Sequence, residues 1–241
     1  MPTSPPPSRK RARSTLSQPL LVAAALELLQ ERGLDALSTR VLAERLGVQA
    51  PALYWHVHNK EALLGLVADQ ICARMQLPAR ALPFRDRLTG IGSEYRRILL
   101  AHRDAPRLFA EQAPLGPHRF QLYEEAVSAF LDRGFPLDEA VAMATFYRHF
   151  LLGMVTEEAR QGEAGSIRAS AAAVLGSDLA KRDTATDYPL LHRAAAVLSS
   201  VGGEQLFTTG LNVLLDGMEC RAASLSASAG GVLAAADLRK G

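Results

Sequence analysis

The chain has 241 residues, 48% of them hydrophobic and 22% charged, enough to bury an ordinary core in one large or two small domains. Cys72 and Cys220 lie far apart and build no disulfide framework, so a reducing cytoplasm is the expected setting. No run of about 18 apolar residues spans a membrane, and the Pro-rich basic start lacks the apolar segment of a signal peptide. Charge is uneven: residues 1–60 carry eight Lys and Arg against four Asp and Glu, while the remainder carries 19 against 21. The first quarter has the sign that phosphate prefers.

Residues 1–16, with Arg9, Lys10, Arg11 and Arg13, read as a disordered basic arm that either tracks a groove in nucleic acid or only aids solubility. Ser17 caps a first helix with Pro19 in its first turn; Leu21, Ala25, Leu28 and Leu29 recur at helical spacing until Gly33. Ser38 or Thr39 opens a short second helix that Gly47 ends. Gln49 or Ala50 opens a third, where Pro51 is tolerated in the first turn. Asn59 caps a fourth through Leu63, Leu64, Val67 and Ile71. Further helices are expected near 84–102, 106–113, 117–133, 137–160, 188–200 and 204–222, with a break at Gly134-Phe135-Pro136. Residues 161–187 are small and polar and read as a long connection, and the tail 223–241 as frayed. No alternating strand pattern appears.

Two short helices around a tight turn make a helix-turn-helix candidate. Ala43 is small where the helices would cross, and Gly47 accepts a positive φ. Leu42, Leu46, Val48, Leu53 and Val57 face a common core, which turns Tyr54, Trp55 and His56 outward. That face suits a duplex: Tyr and His bond phosphate oxygens, rings pack on sugars and thymine methyls, and a helix start offers amides to phosphate. The residues alone leave two alternatives open: Tyr54 and Trp55 as core, and His56 with His58 as metal ligands.

The stretch "LSTRVLAERLGVQAPALYWHVHNKEALL" resembles the DNA-binding domain of the tetracycline-repressor (TetR) family, over residues 17–75. A weaker resemblance to that family's ligand-binding domain runs through "LLAHRDAPRLF", "FLDRGFPLDEAV" and "HFLLGMVTEE". The resemblance implies an all-α fold: a three-helix DNA-binding head with a helix-turn-helix, and a larger helical ligand-binding and dimerisation domain over 76–222. It implies operator contacts by Thr39, Arg40, Pro51, Tyr54, Trp55, His56 and Lys60. Ala50 and Ala52 stand where tetracycline repressors carry base-reading side chains, so the operator is expected to differ, with Gln49 and Arg40 as direct readers.

The effector site departs further. Phe109 stands where the family's drug-bound magnesium meets a histidine, and Gln76 where a second histidine touches the drug; only the acidic position survives, as Glu157. One carboxylate is a poor magnesium site. A small, largely apolar organic effector is expected instead, in a pocket lined by Phe109, Phe146, Phe150 and Met154 with Gln112, His149 or Glu157 as polar anchors and Gln76 at the second matched contact position, with no cofactor and no metal; plain bundle core is the alternative for each of the aromatics. The helices near 137–160 and 204–222 match the family's dimer-forming pair, and Leu206, Leu211, Leu214, Leu215 and Met218 form a stripe that serves a homodimer or the monomer core. The reading is a cytoplasmic repressor of a palindromic operator, not an enzyme: no nucleophile motif, phosphate loop or metal spacing is present. A DNA-binding protein of the same fold that senses nothing is the alternative.

Overall fold

The computed structural model describes residues 16–163, 188–198 and 201–237, and every regular element among them is a helix. The chain divides into two compact units, 1–63 and 64–241. The basic arm and the greater part of the 161–187 connection lie outside the described residues.

In the first unit, α1 (Gln18–Arg32) starts at Ser17, whose Oγ accepts from Leu20 N at 3.4 Å. It packs on the following helix and buries Leu21, Ala25, Leu28 and Leu29, and Leu42, Leu53 and Val57 of the following elements are buried as well. α2 (Thr39–Leu46) is capped by Ser38 Oγ on Val41 N and ends at Gly47, φ 66° and ψ 31°. A Cβ at Gly47 would touch nothing within 4 Å, so glycine is needed there for its left-handed backbone and not for space. Arg45 then ties α2 to α1 through Glu31 and Glu27, at 2.6 and 2.9 Å.

α3 (Ala50–Leu53) is a single turn, and Tyr54, Trp55 and His56 follow in further turns, not in a longer helix. Leu53 and Val57 are both buried, and Val57 N donates to Leu53 O, so the outward face predicted from the apolar spacing survives the shorter helix. Leu46 and Val48 are only half-buried. α4 (Lys60–Cys72) is capped by Asn59, whose Oδ1 accepts from Ala62 N at 2.7 Å.

The expected head boundary at residue 75 moves to the middle of α4. The reason is the burial of its second half: Val67, Ala68, Asp69, Ile71 and Cys72 belong to the larger unit's interior. That unit comprises α5 (Phe84–Leu100), α6 (Ala105–Glu111), α7 (Pro117–Asp132), α8 (Leu137–Glu163), α9 (Pro189–Leu198) and α10 (Gly203–Asp237). α5 is central, packed by α6, α7, α8 and α10. A Cβ at Gly92 would lie 2.8 Å from Tyr147 Oη and 3.3 Å from Leu211, so the crossing with α8 and α10 requires glycine. Ion pairs fix the same contacts: Arg96 with Glu158 on α8, Arg87 with Asp132 on α7, and Arg85 with Glu219 on α10. α10 continues to Asp237, past the end expected near residue 222. The Ser/Ala-rich stretch there has no apolar stripe to announce a helix, but alanine propagates one and no proline stops it.

Candidate nucleic-acid interface and ligand cavity

The helix-turn-helix sets its polar-aromatic side outward. Trp55 is 88% exposed and Tyr54 50%, which removes the core reading of that pair. Arg40, Gln49, Pro51 and Lys60 are exposed; Thr39, Ala50, Ala52 and His56 are half-buried. Gln49 holds the N-cap position of α3 without using its side chain as the cap, so its amide is not committed to the helix. Arg40 lies 4.0 Å from Glu44 one turn on, both highly exposed, a pair too weak to hold the guanidinium against a phosphate. His58 is exposed, and no group of three or more His, Cys, Asp or Glu gathers among the described residues.

The larger unit holds a partly open cavity of about 40 Å³ lined by residues of α4, α5, α6, α7 and α8. Its wall is a set of helical faces. α7 presents Arg119, Leu122, Tyr123 and Ala126; α8 presents Ala144, Tyr147, Arg148 and Leu151; Ile91 and Tyr95 come from α5, Phe109 from α6 and Cys72 from α4. Tyr95 and Phe109 meet edge-on with centroids 6.0 Å apart, and the Arg119 guanidinium lies 4.8 Å from the Phe109 centroid. Arg119 is 5% exposed, and its Nη1 and Nη2 donate to Ala113 O at 2.8 Å and Gln112 O at 3.3 Å. Burial lowers the pKa of Arg119, pushes the Cys72 thiol up to about 12, and raises Tyr95 and Tyr147 above the ordinary phenol range. A second cavity of about 260 Å³ lies alongside, sharing Cys72 and Leu122 and adding Met75, Leu77, His118 and Gln121.

Of the residues expected to line a pocket, Phe109 alone is on the wall of the first cavity. α8 turns 144, 147, 148 and 151 inward at helical spacing, which carries Phe146, His149, Phe150, Met154 and Glu157 onto other faces. Phe146 is 53% exposed, and Phe150 packs on Phe207 of α10 at 6.5 Å. His149 is exposed, its Nε2 2.7 Å from Arg148 Nη2. At this turn of α8 it is Glu158, not Glu157, that pairs internally, with Arg96. Gln76 sits in an extended stretch whose side chains alternate, so Met75 and Leu77 reach the second cavity while Gln76 stays exposed. Gln112 contributes a backbone carbonyl to Arg119.

Two charged residues that matter here carry no mark in the sequence as site residues. Arg119 falls on the inward face of α7, in line with Leu122, Tyr123 and Ala126, and is buried there. Asp69 sits among Ala68, Ile71 and Cys72 and is 7% exposed. Its Oδ1 accepts from the backbone N–H of His118 and Arg119, both at 3.0 Å, and His118 Nδ1 donates to its Oδ2 at 2.8 Å.

Residues 21–67 match the family model "Bacterial regulatory proteins, tetR family", and residues 77–222 match "Tetracyclin repressor-like, C-terminal domain". The chain belongs to the TetR family of transcriptional regulators. Tetracycline repressor protein class D of Escherichia coli is 34% identical over 222 residues, covering 90% of this chain and 95% of that one. Apo ActR of Streptomyces coelicolor superposes with a TM-score of 0.77 at 27% identity, covering 87% of this chain and 99% of ActR. ActR in complex with actinorhodin gives 0.74 at 28%, covering 85% and 96%. Membership makes this TetR-family chain a DNA-binding transcription factor, not an enzyme. No helix among its described residues is long and apolar enough to cross a membrane.

Proposed function

We propose that the protein is a cytoplasmic dimeric repressor that holds a near-palindromic operator and is released from it by a small organic effector. The observation that carries the DNA contact is Trp55, a large ring left 88% exposed beside Tyr54 on a single turn anchored by buried Leu53 and Val57. An exposed aromatic costs solubility unless something covers it, and double-stranded operator DNA fits. Thr39 and Arg40 meet phosphates at the start of α2, Lys60 at the start of α4; Tyr54, Trp55 and His56 pack on sugar, phosphate and thymine methyls. Gln49 and Arg40 read base edges, and Ala50, Pro51 and Ala52 lie close in the groove without hydrogen-bonding to bases.

Dimer formation is supported by the stripe's division of labour. Leu211, Leu215 and Met218 are spent on the subunit's own core, while Leu206 and Val213 on α10 and Phe146 on α8 stay exposed, Val213 at 67%. Two subunits would then place two reading turns on successive major-groove faces.

The effector reading rests on the cavity. The resemblance to tetracycline repressors implies a drug–magnesium complex, and the wall does not fit one. It offers thiol, phenol and two guanidinium groups, with no imidazole and no carboxylate, while magnesium needs oxygen anions and is repelled by guanidinium. About 40 Å³ is far below the roughly 300–1,000 Å³ of a ligand pocket, so entry requires the Cys72–Leu122 partition with the second cavity to move. α4 runs unbroken from Lys60 to Cys72, about 18 Å at 1.5 Å per residue, so displacing Cys72 tilts a helix whose other end lies in the head. Coupling of this kind is typically about 1–3 kcal/mol.

Selection of bound DNA from a random pool tests the reading. An inverted repeat should emerge, and Trp55→Ala should lose it. Recovery of no preferred sequence, or full binding by the Trp55 variant, overturns it.

A further inference from the structure

Deepening the effector reading, and resting on it, we infer that the cavity bounded by α5, α7 and α8 takes an anionic aromatic molecule whose acid oxygen sits between Arg119 and Arg148. Both guanidinium-bearing side chains line one small, otherwise apolar cavity. Neither is in an ion pair among the described residues: Arg119 is met by two backbone carbonyls and a ring face, and Arg148 by His149. Asp69 acts on Arg119 electrostatically, but its oxygens are already taken by the His118 and Arg119 backbone N–H groups and the His118 ring.

Two like charges lining one largely apolar cavity repel each other; burial is the first cause that disfavours the charged form of Arg119, and the nearby Arg148 charge adds to it. A guanidinium cannot shed its proton at ordinary pH, so an anion placed between the two is the ligand that relieves the repulsion best. Carboxylate is the best match, because it accepts paired N–H bonds from a planar fork. The rest of the wall sets the body of the ligand. Tyr95 and Phe109 present ring edges and faces, Ile91 and Leu151 aliphatic surface, and Tyr123 Oη lies within 2.9 Å of Thr145 Oγ1 at the rim. A flat aromatic acid satisfies all of these; a cation or a metal chelate is opposed by the two guanidinium groups.

Arg119 also has a structural duty, since it holds the Gln112 and Ala113 carbonyls at the end of α6. Arg148 has no such duty and supplies the cleaner variant. The experiment uses the full chain with 2-naphthoate and 2-naphthamide, which share ring and shape and differ in charge, read by titration calorimetry. The acid should bind roughly tenfold or more tighter than the amide, the range expected of a charge-assisted contact. Arg148→Gln should remove most of that preference and Arg148→Lys should restore part of it; Arg119→Lys should keep more of it than Arg119→Gln. Equal binding of acid and amide, no binding of the acid at millimolar concentration, or an undiminished preference in Arg148→Gln overturns the inference. Operator release is measured in parallel. Acid bound without release leaves the anion site standing and removes the effector reading; release by acid and amide alike does the reverse.

Discussion

Removing the Asp69 carboxylate should loosen the larger unit measurably. The N-cap position of α7 is Gly116, which has no side chain to cap the helix, and the first amides are capped instead from α4 by Asp69 Oδ1, at 3.0 Å to both His118 N and Arg119 N. The carboxylate is 7% exposed and faces the positive end of a helix. A hydrogen bond to a charged group contributes roughly 1.5–3 kcal/mol, and losing a local N-cap costs about 0.5–2 kcal/mol. Water can reach the freed amides in part, because His118 is 43% exposed, so Asp69→Ala is expected to cost about 2–4 kcal/mol. For a chain of this size that lowers Tm by roughly 5–15 °C. Asp69→Asn keeps an acceptor and should lose about half as much. Gly116 is bound to the same device: its φ is 118°, and a Cβ there would lie 2.4 Å from Asp69 Oδ1. Gly116→Ala should therefore destabilise through the clasp, and less so when Asp69 is already Ala. Thermal unfolding followed by circular dichroism gives all four values. A Tm for Asp69→Ala within about 1 °C of the parent, or no coupling between the Asp69 and Gly116 substitutions, refutes the capping account.

Four further outcomes are expected. Trp55→Ala should leave Tm unchanged, since the ring is 88% exposed, while operator affinity in a mobility-shift assay falls about tenfold. Gln49→Ala should weaken binding on some single-base variants of the operator and not others; equal losses on all would assign it to the backbone. Val213→Asp should shift the protein toward monomer in analytical ultracentrifugation, and an unchanged dimer would move the interface elsewhere. The Glu31 carboxyl is held below its ordinary value of 4.5, first by its hydrogen bond from Arg45. A depressed folded-state pKa means stabilisation that is fully present above the ordinary value and lost as pH falls through the folded one. Arg45→Met should accordingly flatten the acid side of the head's stability profile below about pH 4.5, and an unaltered profile would show the pair to be idle.

The head was legible in sequence because each device in it is local. Ser38, Gly47 and Asn59 act within four residues of themselves, and Leu53 with Val57 sets the outward face by spacing alone. Even so, the chain length of α3 was not readable: Tyr54–His56 keep helix-like turns without extending the helix. The cavity was poorly legible for two reasons. A 27-residue helix such as α8 has apolar residues on more than one face, and which face meets α5 and α7 depends on Gly92 and Tyr147, far apart in sequence. Phe146 and Phe150 look as much like pocket as Tyr147 does. Charged residues mislead in the opposite direction: Arg119 and Asp69 read as solvated surface until the partners that bury them, 50 residues apart, come together.

Arg119 carries two attachments at once. Its backbone N–H is held by Asp69 of α4, and its guanidinium stands on the cavity wall over Phe109. An acid drawing the guanidinium toward Arg148 would therefore pull on the first turn of α7, and through Asp69 on α4. The Cys72 wall and the Asp69 clasp give α4 two points of contact with the proposed effector region, three residues apart and so on one face of the helix. Relief of charge repulsion in the cavity thus has a short mechanical path to the helix that enters the head. Asp69→Asn should keep probe binding and keep operator binding, yet reduce the factor by which each weakens the other, and linkage requires that factor to be the same from either side. If calorimetry on free and operator-bound protein returns the parent's factor for Asp69→Asn, the path does not run through this clasp, and the contact at Cys72 carries the coupling alone.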